Sequence, residues 1–198
     1  MARTQAFDRV AVIRAARTVF WRAGYEGASI PDLEQETGLS RSSIYNTFGS
    51  KRGLFDAAVQ SYLDELIRPR LAPLQAPIVA PEALLAYLTG LRDTFENPQS
   101  MPASYGCLLI NTASTSLAGD GRIQDIITGY RAELHSAFER GLAAMRRDQP
   151  KGARDELDAD IVTALVVAGF VMARVDPHES ARSVSSAIRV VSSGQECS

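Results

Sequence analysis

The sequence has few of the side chains from which metal sites, disulfide frameworks and catalytic centres are built. Its 198 residues include two cysteines, Cys107 and Cys197, and two histidines, His135 and His178, which do not have the spacing of a metal site. A Gly-rich phosphate loop, a Glu-x-x-His pair and a Ser, His and Asp set are also missing. We therefore expect reduced thiols, no metal, no cofactor and no catalytic residues.

Long hydrophobic segments are absent as well. The longest uncharged apolar run, residues 161–173, has 13 residues, which is too short to cross a bilayer because a spanning helix needs about 20. No charged segment followed by an apolar one opens the chain as in a signal peptide. With 45% hydrophobic residues, the chain has enough apolar surface for a folded core. These features predict a soluble, cytoplasmic protein that does not associate with membranes.

The charge is close to balanced, which argues against a protein that coats nucleic acid by bulk basicity. The formal net charge is −2, but residues 1–55 contain eight Lys and Arg against five Asp and Glu, and the remainder 13 against 18. A basic N-terminal part on an acidic body favours salt-dependent DNA contact at one end of the protein. Ordinary scatter of charges would give a difference of this size too, so charge alone leaves the partner open.

Apolar residues recur at helical spacing through the chain, and no segment alternates as a strand does. Glycines and prolines divide this pattern into segments. The sequence therefore predicts an all-α fold of about nine helices. They are expected near residues 7–23, 29–38, 40–48, 50–67, 82–96, 102–117, 122–147, 155–175 and 178–192.

Prolines at Pro69, Pro73, Pro77 and Pro81 are expected to interrupt regular structure, and the composition changes there from basic to apolar and acidic. This change marks a domain border. The predicted organisation is a helix-turn-helix domain, a connecting helix and a larger helical body, over residues 1–50, 51–67 and 68–198.

The stretch Ser29–Phe48 has the signals of two short helices joined by a tight turn. Ser29 can cap the first helix, and Gly38 can end it because glycine adopts the left-handed conformation without a Cβ clash. Ser40 can cap the second helix, in which Ile44 would face the interior. On spacing alone, a helix-turn-helix and a surface helical hairpin explain this pattern equally well.

The outer face of the second helix offers side chains suited to a DNA major groove. Arg can pair with guanine, Asn with adenine and Ser with several base edges, while a phenol can reach a phosphate. A recognition helix places its N-terminal residues on base edges. The candidates for DNA contact on this helix are Ser40, Arg41, Ser42, Ser43, Tyr45 and Asn46.

One pattern extends over residues 10–62 and comprises Ala16, Phe20, Gly24, Tyr25, Ser29, Ile30, Leu33, Thr37-Gly38-Leu39-Ser40, Ile44-Tyr45-Asn46-Thr47-Phe48, Ser50-Lys51 and Leu54-Phe55. It resembles the N-terminal domain of the tetracycline-repressor (TetR) family. The resemblance implies that the second helix lies in the major groove, that Ser29 and Tyr45 lie where phosphate contacts occur, and that Lys51 opens a fourth helix near the DNA backbone. Two positions differ from the family's pattern: Glu34 replaces a small residue, and Asn46 stands where His is frequent.

The last two predicted helices carry more apolar surface than a small body can hide. Residues 161–173 are apolar nearly all round, and a helix without a polar face must be buried. An intramolecular core accounts for one face and self-association for another. In TetR-like proteins the last two helices form a four-helix dimer interface. The resemblance therefore implies a homodimer whose recognition helices lie roughly 34–36 Å apart on a double-stranded DNA operator.

The middle helices mix aromatic, aliphatic and isolated polar side chains, which suits a cavity for a small, largely apolar effector. Plain core packing is the alternative for each residue taken singly. Residues 106–113 also resemble a segment found in one broad branch of TetR-like regulators. Cys107 could sense oxidants or electrophiles, although its uncharged sequence neighbours favour an inert buried thiol. The candidate ligand-binding residues are Leu91, Phe95, Tyr105, Cys107, Leu108, Asn111, Tyr130, Leu134, Phe138 and Phe170.

These features predict a homodimeric DNA-binding transcriptional regulator, a repressor that a small molecule releases from a palindromic operator. A ligand-independent DNA-binding protein would share the N-terminal domain without needing a pocket. A helical-bundle enzyme is the third hypothesis, and the missing catalytic motifs disfavour it. Ligand-induced release from DNA separates the first hypothesis from the second.

Overall fold

A computed structural model of the protein describes residues 7–147 and 153–193. Within these ranges the chain is helical without a β-strand, which confirms the predicted all-α class. One π-helical turn covers Leu63–Ile67, and one 3-10 turn covers Ser116–Gly119. The α-helices are α1 (Arg9–Gly27), α2 (Ile30–Thr37), α3 (Arg41–Phe48), α4 (Lys51–Tyr62), α5 (Arg68–Gln75), α6 (Ala83–Glu96), α7 (Met101–Tyr105), α8 (Leu108–Thr112), α9 (Gly121–Met145), α10 (Ala153–Met172) and α11 (Pro177–Ser193).

The described residues divide into two compact units, one ending at Arg68 and one beginning at Pro69. The first unit is built on one face of α1, whose buried residues recur at helical spacing and pack against α2 and α4. The Phe55 ring lies edge-on to Phe20, with ring centres 5.1 Å apart. Leu33 of α2 and Ile44 of α3 are completely buried in this unit, so the inner faces of both helices are fixed by apolar packing.

The helix that follows α3 runs further than predicted. The expectation that Pro69 and Pro73 interrupt it is wrong, because α5 continues to Gln75 with Pro73 inside. In the π-helical turn just before, the N–H of Arg68 bonds the carbonyl of Leu63, five residues back. This wider turn gives room to the Pro69 ring, which in a regular α-helix would press on the carbonyl four residues earlier.

In the second unit, α11 packs against α6 and α10, and α10 packs against α9. Arg146 donates a hydrogen bond to the Asp158 carboxylate at 2.6 Å, and both side chains are buried, so each charge compensates the other. No helix in the described part of the chain is long and apolar enough to cross a membrane. The division into a DNA-binding domain, a connecting helix and a ligand-binding and dimerisation domain stays a prediction.

The helix predicted over residues 102–117 is divided into α7 and α8. Gly106 lies between them with φ of +67°, a conformation that glycine adopts without strain. A Cβ at this position would lie 2.4 Å from the carbonyl oxygen of Phe170 on α10. Packing against a helix distant in sequence therefore imposes a break that local periodicity does not reveal.

Candidate DNA-binding surface

A reciprocal cap begins α2. The Ser29 hydroxyl oxygen accepts from the Asp32 N–H at 3.2 Å, while an Asp32 carboxylate oxygen accepts from the Ser29 N–H at 3.1 Å and from its hydroxyl at 2.6 Å. These hydrogen bonds hold the pKa of the Asp32 carboxyl below its usual value. Ser29 therefore fixes the start of α2. A contact between Ser29 and a phosphate would have to use a hydroxyl that already donates to Asp32.

A tight turn sets the angle between α2 and α3. Gly38 ends α2 with φ of +68°, and its N–H donates to the Glu34 carbonyl at 2.9 Å. Ser40 then caps α3, its hydroxyl oxygen accepting from the Ser43 N–H at 3.3 Å. The helix-turn-helix predicted from the sequence is present, with Ser40 and Gly38 in the predicted positions.

The exposed face of α3 is polar. Arg41, Ser42, Tyr45 and Asn46 are exposed, and Ser43 is half-buried. The Arg41 guanidinium lies over the Tyr45 ring, 5.6 Å from its centre, because residues four apart on a helix are neighbours. The candidate residues on α3 therefore lie away from the buried Ile44, on the outer part of the helix.

The serines at the start of α3 bond one another. Ser40 Oγ lies 3.0 Å from Ser42 Oγ and 3.0 Å from Ser43 Oγ. Together with the cap, these contacts orient the hydroxyls at the helix start, where Ser40 and Ser42 remain exposed. Arg41 and Asn46 add the bidentate hydrogen-bonding groups of this face.

Two further cations rest on aromatic rings near the C-terminal end of α3. Lys51 Nζ lies 4.7 Å from the centre of the Tyr25 ring, and the Arg9 guanidinium carbon lies 4.9 Å from that of Phe48. No local pattern could have indicated the contact between Arg9 and Phe48, because Arg9 begins α1 whereas Phe48 ends α3.

Two other arginines of α1 are engaged within the first unit. Arg14 Nε lies 2.7 Å and Arg17 Nη1 lies 3.1 Å from Glu65 Oε2. Partial burial opposes ionisation of Glu65, but the hydrogen bonds from both arginines prevail and lower the pKa of its carboxyl. The excess of Lys and Arg over Asp and Glu in the N-terminal residues therefore overstates the positive charge that is available to contact DNA.

The candidate ligand-binding residues lie in the second unit. Tyr105 and Asn111 are half-buried, with Asn111 Nδ2 donating to the Tyr105 carbonyl at 2.6 Å. Cys107 Sγ lies 3.8 Å from Tyr130 Oη. The Tyr87 ring lies 5.4 Å from that of Phe138, and burial raises the pKa of the Tyr87 phenol. Eight of the candidates are buried: Leu91, Phe95, Cys107, Leu108, Tyr130, Leu134, Phe138 and Phe170. Whether they bind a ligand stays a prediction.

His135, His178 and Cys107 lie on different segments of the second unit. Between residues 7–147 and 153–193, no group of three or more His, Cys, Asp or Glu side chains is placed to hold a metal ion. His135 Nε2 instead lies 3.3 Å from Asp160 Oδ1 on α10. His178 is exposed near the start of α11, and Cys197 lies outside the described residues.

Comparison with known proteins identifies the family. Residues 12–58 match the family model described as bacterial regulatory proteins, tetR family. The transcriptional regulator YezE of Bacillus subtilis (strain 168) is 32% identical over 161 residues, which cover 81% of this chain and 80% of YezE. Among solved structures, a cysteine mutant of the TetR family regulator CifR, in complex with a 26-bp operator DNA, matches with a TM-score of 0.76 and 30% identity, over 94% of this chain and 98% of CifR. The chain belongs to the TetR family.

As a member of the TetR family, the protein is a DNA-binding transcriptional regulator and not an enzyme. Its helix-turn-helix lies in the N-terminal unit, in α2 and α3. A second relative, the transcriptional repressor ComR of Escherichia coli (strain K12), is 32% identical over 131 residues, which cover 66% of this chain and 61% of ComR.

Proposed function

We propose that this TetR-family regulator is a homodimeric repressor, which binds a palindromic operator in double-stranded DNA and is released by a small, largely apolar effector. One observation carries the proposal: the chain exposes both the polar face of α3 and an apolar stripe on α10. The first suits DNA, and the second suits another protein surface. The CifR complex with operator DNA and the repressor ComR support this direction.

In this proposal α3 lies in the major groove. Arg41 pairs with guanine O6 and N7, and Asn46 pairs with adenine N6 and N7, since these side chains offer the matching bidentate geometry. Ser42 and Ser43 contact neighbouring base edges. Ser40 has the smaller role of holding the helix start, because its hydroxyl oxygen accepts from the Ser43 N–H.

Phosphate contacts flank the base-reading residues. The exposed Tyr45 hydroxyl and the Ser29 side chain approach the backbone of the DNA, and Lys51 adds an ammonium group at the start of α4. The Tyr25 ring beneath Lys51 Nζ limits the freedom of this cation. These contacts fix the register of the protein on DNA without reading its sequence.

The dimer interface is proposed on α10 and α11. Along α10 and just beyond its end, exposed apolar residues recur at alternating spacings of four and three, the spacing of a helix–helix seam. Leu157, Val171 and Val175 are 58%, 54% and 77% exposed, and a second copy of the chain would cover them around a two-fold axis. The exposed Arg182 and Arg189 of α11 supply a polar rim. The stripe consists of Leu157, Ile161, Ala164, Ala168, Val171 and Val175.

The effector is proposed to enter the second unit. Its interior sets a few polar groups, Tyr87, Cys107, Asn111 and Tyr130, among apolar side chains. Because burial raises the pKa of Tyr87, this phenol keeps its proton and can donate to an acceptor on an otherwise apolar molecule. A coupling of about 1–3 kcal/mol between effector and DNA would change operator affinity from several-fold to a hundredfold.

Selection of bound duplexes from a random pool tests this function. A two-fold symmetric motif with half-sites one helical turn apart, roughly 34–36 Å, is the expected result. A single asymmetric half-site, or no enriched motif, would contradict the palindromic operator. Apolar compounds that raise the melting temperature should then release the selected duplex, whereas a ligand-independent DNA-binding protein would retain it.

Arg41→Ala should weaken operator binding by roughly 1–3 kcal/mol and relax one base position, because one bidentate base contact is lost. Fluorescence anisotropy on the selected operator, on its single-base variants and on random duplex measures both effects. Arg92→Ala is the control, since Arg92 pairs with Asp93 on α6 in the second unit. Equal losses on operator and random DNA would remove Arg41 from base reading.

Lys51→Ala should weaken binding to all duplexes alike, because an ammonium–phosphate contact carries no sequence information. The slope of log affinity against log salt concentration should become shallower by about 1. Titrations at several salt concentrations measure the slope. An unchanged slope would show that Lys51 does not contact phosphate.

A further inference from the structure

Glu34 connects the two helices of the helix-turn-helix. Its side-chain oxygen Oε1 accepts a hydrogen bond from the backbone N–H of Arg41 at 2.5 Å. Its backbone carbonyl accepts from the N–H of Gly38 at 2.9 Å. Glu34 therefore holds the turn with its main chain and the next helix with its side chain. A small residue, which the family's pattern usually has at this position, would provide only the main-chain bond to Gly38.

The bonded N–H is one that α3 cannot satisfy by itself. Arg41 is the first residue of α3, and the first N–H groups of a helix have no partner within it. The aligned peptide dipoles also give this end of the helix a partial positive charge, which a carboxylate stabilises. With Ser40 accepting from the Ser43 N–H, the first turn of α3 is held by one acceptor from its own cap and one from α2.

The bond lies outside the buried apolar contact between the helices. Leu33 and Ile44 are completely buried and fix the inner faces, whereas Glu34 is half-buried and Arg41 is exposed. A helix held only at its inner face can still roll about that contact or fray at its first turn. The second attachment restrains both movements at the turn that carries the Arg41 side chain.

We propose that Glu34 is a positioning residue for sequence recognition: its carboxylate fixes the first turn of α3 and thereby raises the preference for operator over random DNA. The inference rests on the proposed role of α3 as the recognition helix. Base contacts depend on the orientation of the first turn, whereas attraction to phosphates depends far less on it. The negative charge of Glu34 also repels operator and random DNA equally. Its effect on affinity can therefore be separated from the effect of the hydrogen bond.

Two substitutions separate the hydrogen bond from the charge. Glu34→Asp keeps the charge, but its shorter side chain does not reach the Arg41 N–H. Glu34→Gln removes the charge and keeps an acceptor oxygen at the same reach. Glu36→Gln is the matched control, because Glu36 is exposed on the same helix. Glu34→Ala repeats the loss of the bond with a better helix former.

The measured quantity is the ratio of dissociation constants for random duplex and selected operator, at fixed salt. Glu34→Asp and Glu34→Ala should lower this ratio about tenfold, within the range that follows loss of a helix N-terminal acceptor. Glu34→Gln should keep the ratio within about twofold and tighten both affinities as Glu36→Gln does. A wild-type ratio in Glu34→Asp and Glu34→Ala, or a ratio in Glu34→Gln as low as theirs, would overturn the proposal.

A measurement without DNA keeps this inference distinct from the proposed function. The Arg41 amide should exchange with solvent several-fold faster in Glu34→Asp than in the wild type, and at close to the wild-type rate in Glu34→Gln. If the Arg41 amide exchanges faster in Glu34→Asp than in Glu34→Gln but no DNA motif is selected, the positioning contact exists and α3 does not read base sequence as proposed. Equal exchange in all variants would refute the positioning role itself.

Discussion

Gly53→Ala is expected to lower the free energy of unfolding by about 3 kcal/mol and to weaken operator binding about tenfold. A Cβ at Gly53 would lie 2.0 Å from the backbone carbonyl oxygen of Phe48, the last residue of α3. Backbone atoms at this distance must move, because no flexible side chain can yield in their place. The movement displaces the end of α3 relative to α4 and so disturbs the surface that meets DNA.

The sign of this effect makes the prediction specific. In an unconstrained helix, Gly→Ala stabilises by up to about 1 kcal/mol, because alanine loses less conformational freedom on folding. Gly90→Ala on α6 is the control, since a Cβ there meets no atom within 4 Å. Chemical denaturation should show a less stable Gly53 variant and a Gly90 variant at or above the wild type. A Gly53→Ala protein as stable as the wild type would show that α3 and α4 do not approach in this way.

The parts of the fold that the sequence predicted are those with local causes. Ser29 and Gly38 delimit α2, and Ser40 begins α3, because caps and left-handed glycines act within a few residues of the helix they end. The helical spacing of apolar residues is also a local signal, and it predicted the all-α class. The polar face of α3 followed from its position opposite the buried Ile44.

The parts that the sequence did not predict depend on residues far apart in the chain. Gly106 breaks a helix because the Phe170 carbonyl of α10 approaches it. The approach of Arg9 to Phe48 depends on how α1 meets α3. Pro73 is tolerated inside α5, although a proline in a helix interior is usually a stop signal. Glu34 was recognised as a departure from the family's pattern, but its bond to the next helix became visible only in three dimensions.

Val171→Asp is expected to dissociate the proposed dimer and thereby reduce operator affinity about a hundredfold or more, because a buried uncompensated charge costs about 3–5 kcal/mol. Val171 belongs to the exposed apolar stripe of α10, so the isolated chain tolerates the carboxylate in solvent. In a two-fold interface the substitution occurs twice, and the like charges add repulsion across the axis. Sedimentation velocity measures the dimer, and anisotropy measures the operator complex.

Ile78→Asp provides the matched control, because Ile78 is an aliphatic residue of the same unit that is 80% exposed and belongs to the segment between α5 and α6, not to α10 or α11. This variant should remain dimeric and keep its operator affinity. A Val171→Asp protein that stays dimeric would place the interface on another surface. Two half-site contacts bind more tightly together than singly only because the dimer links them. A monomeric Val171→Asp protein that binds operator as tightly as the wild type would therefore show that recognition does not need the dimer.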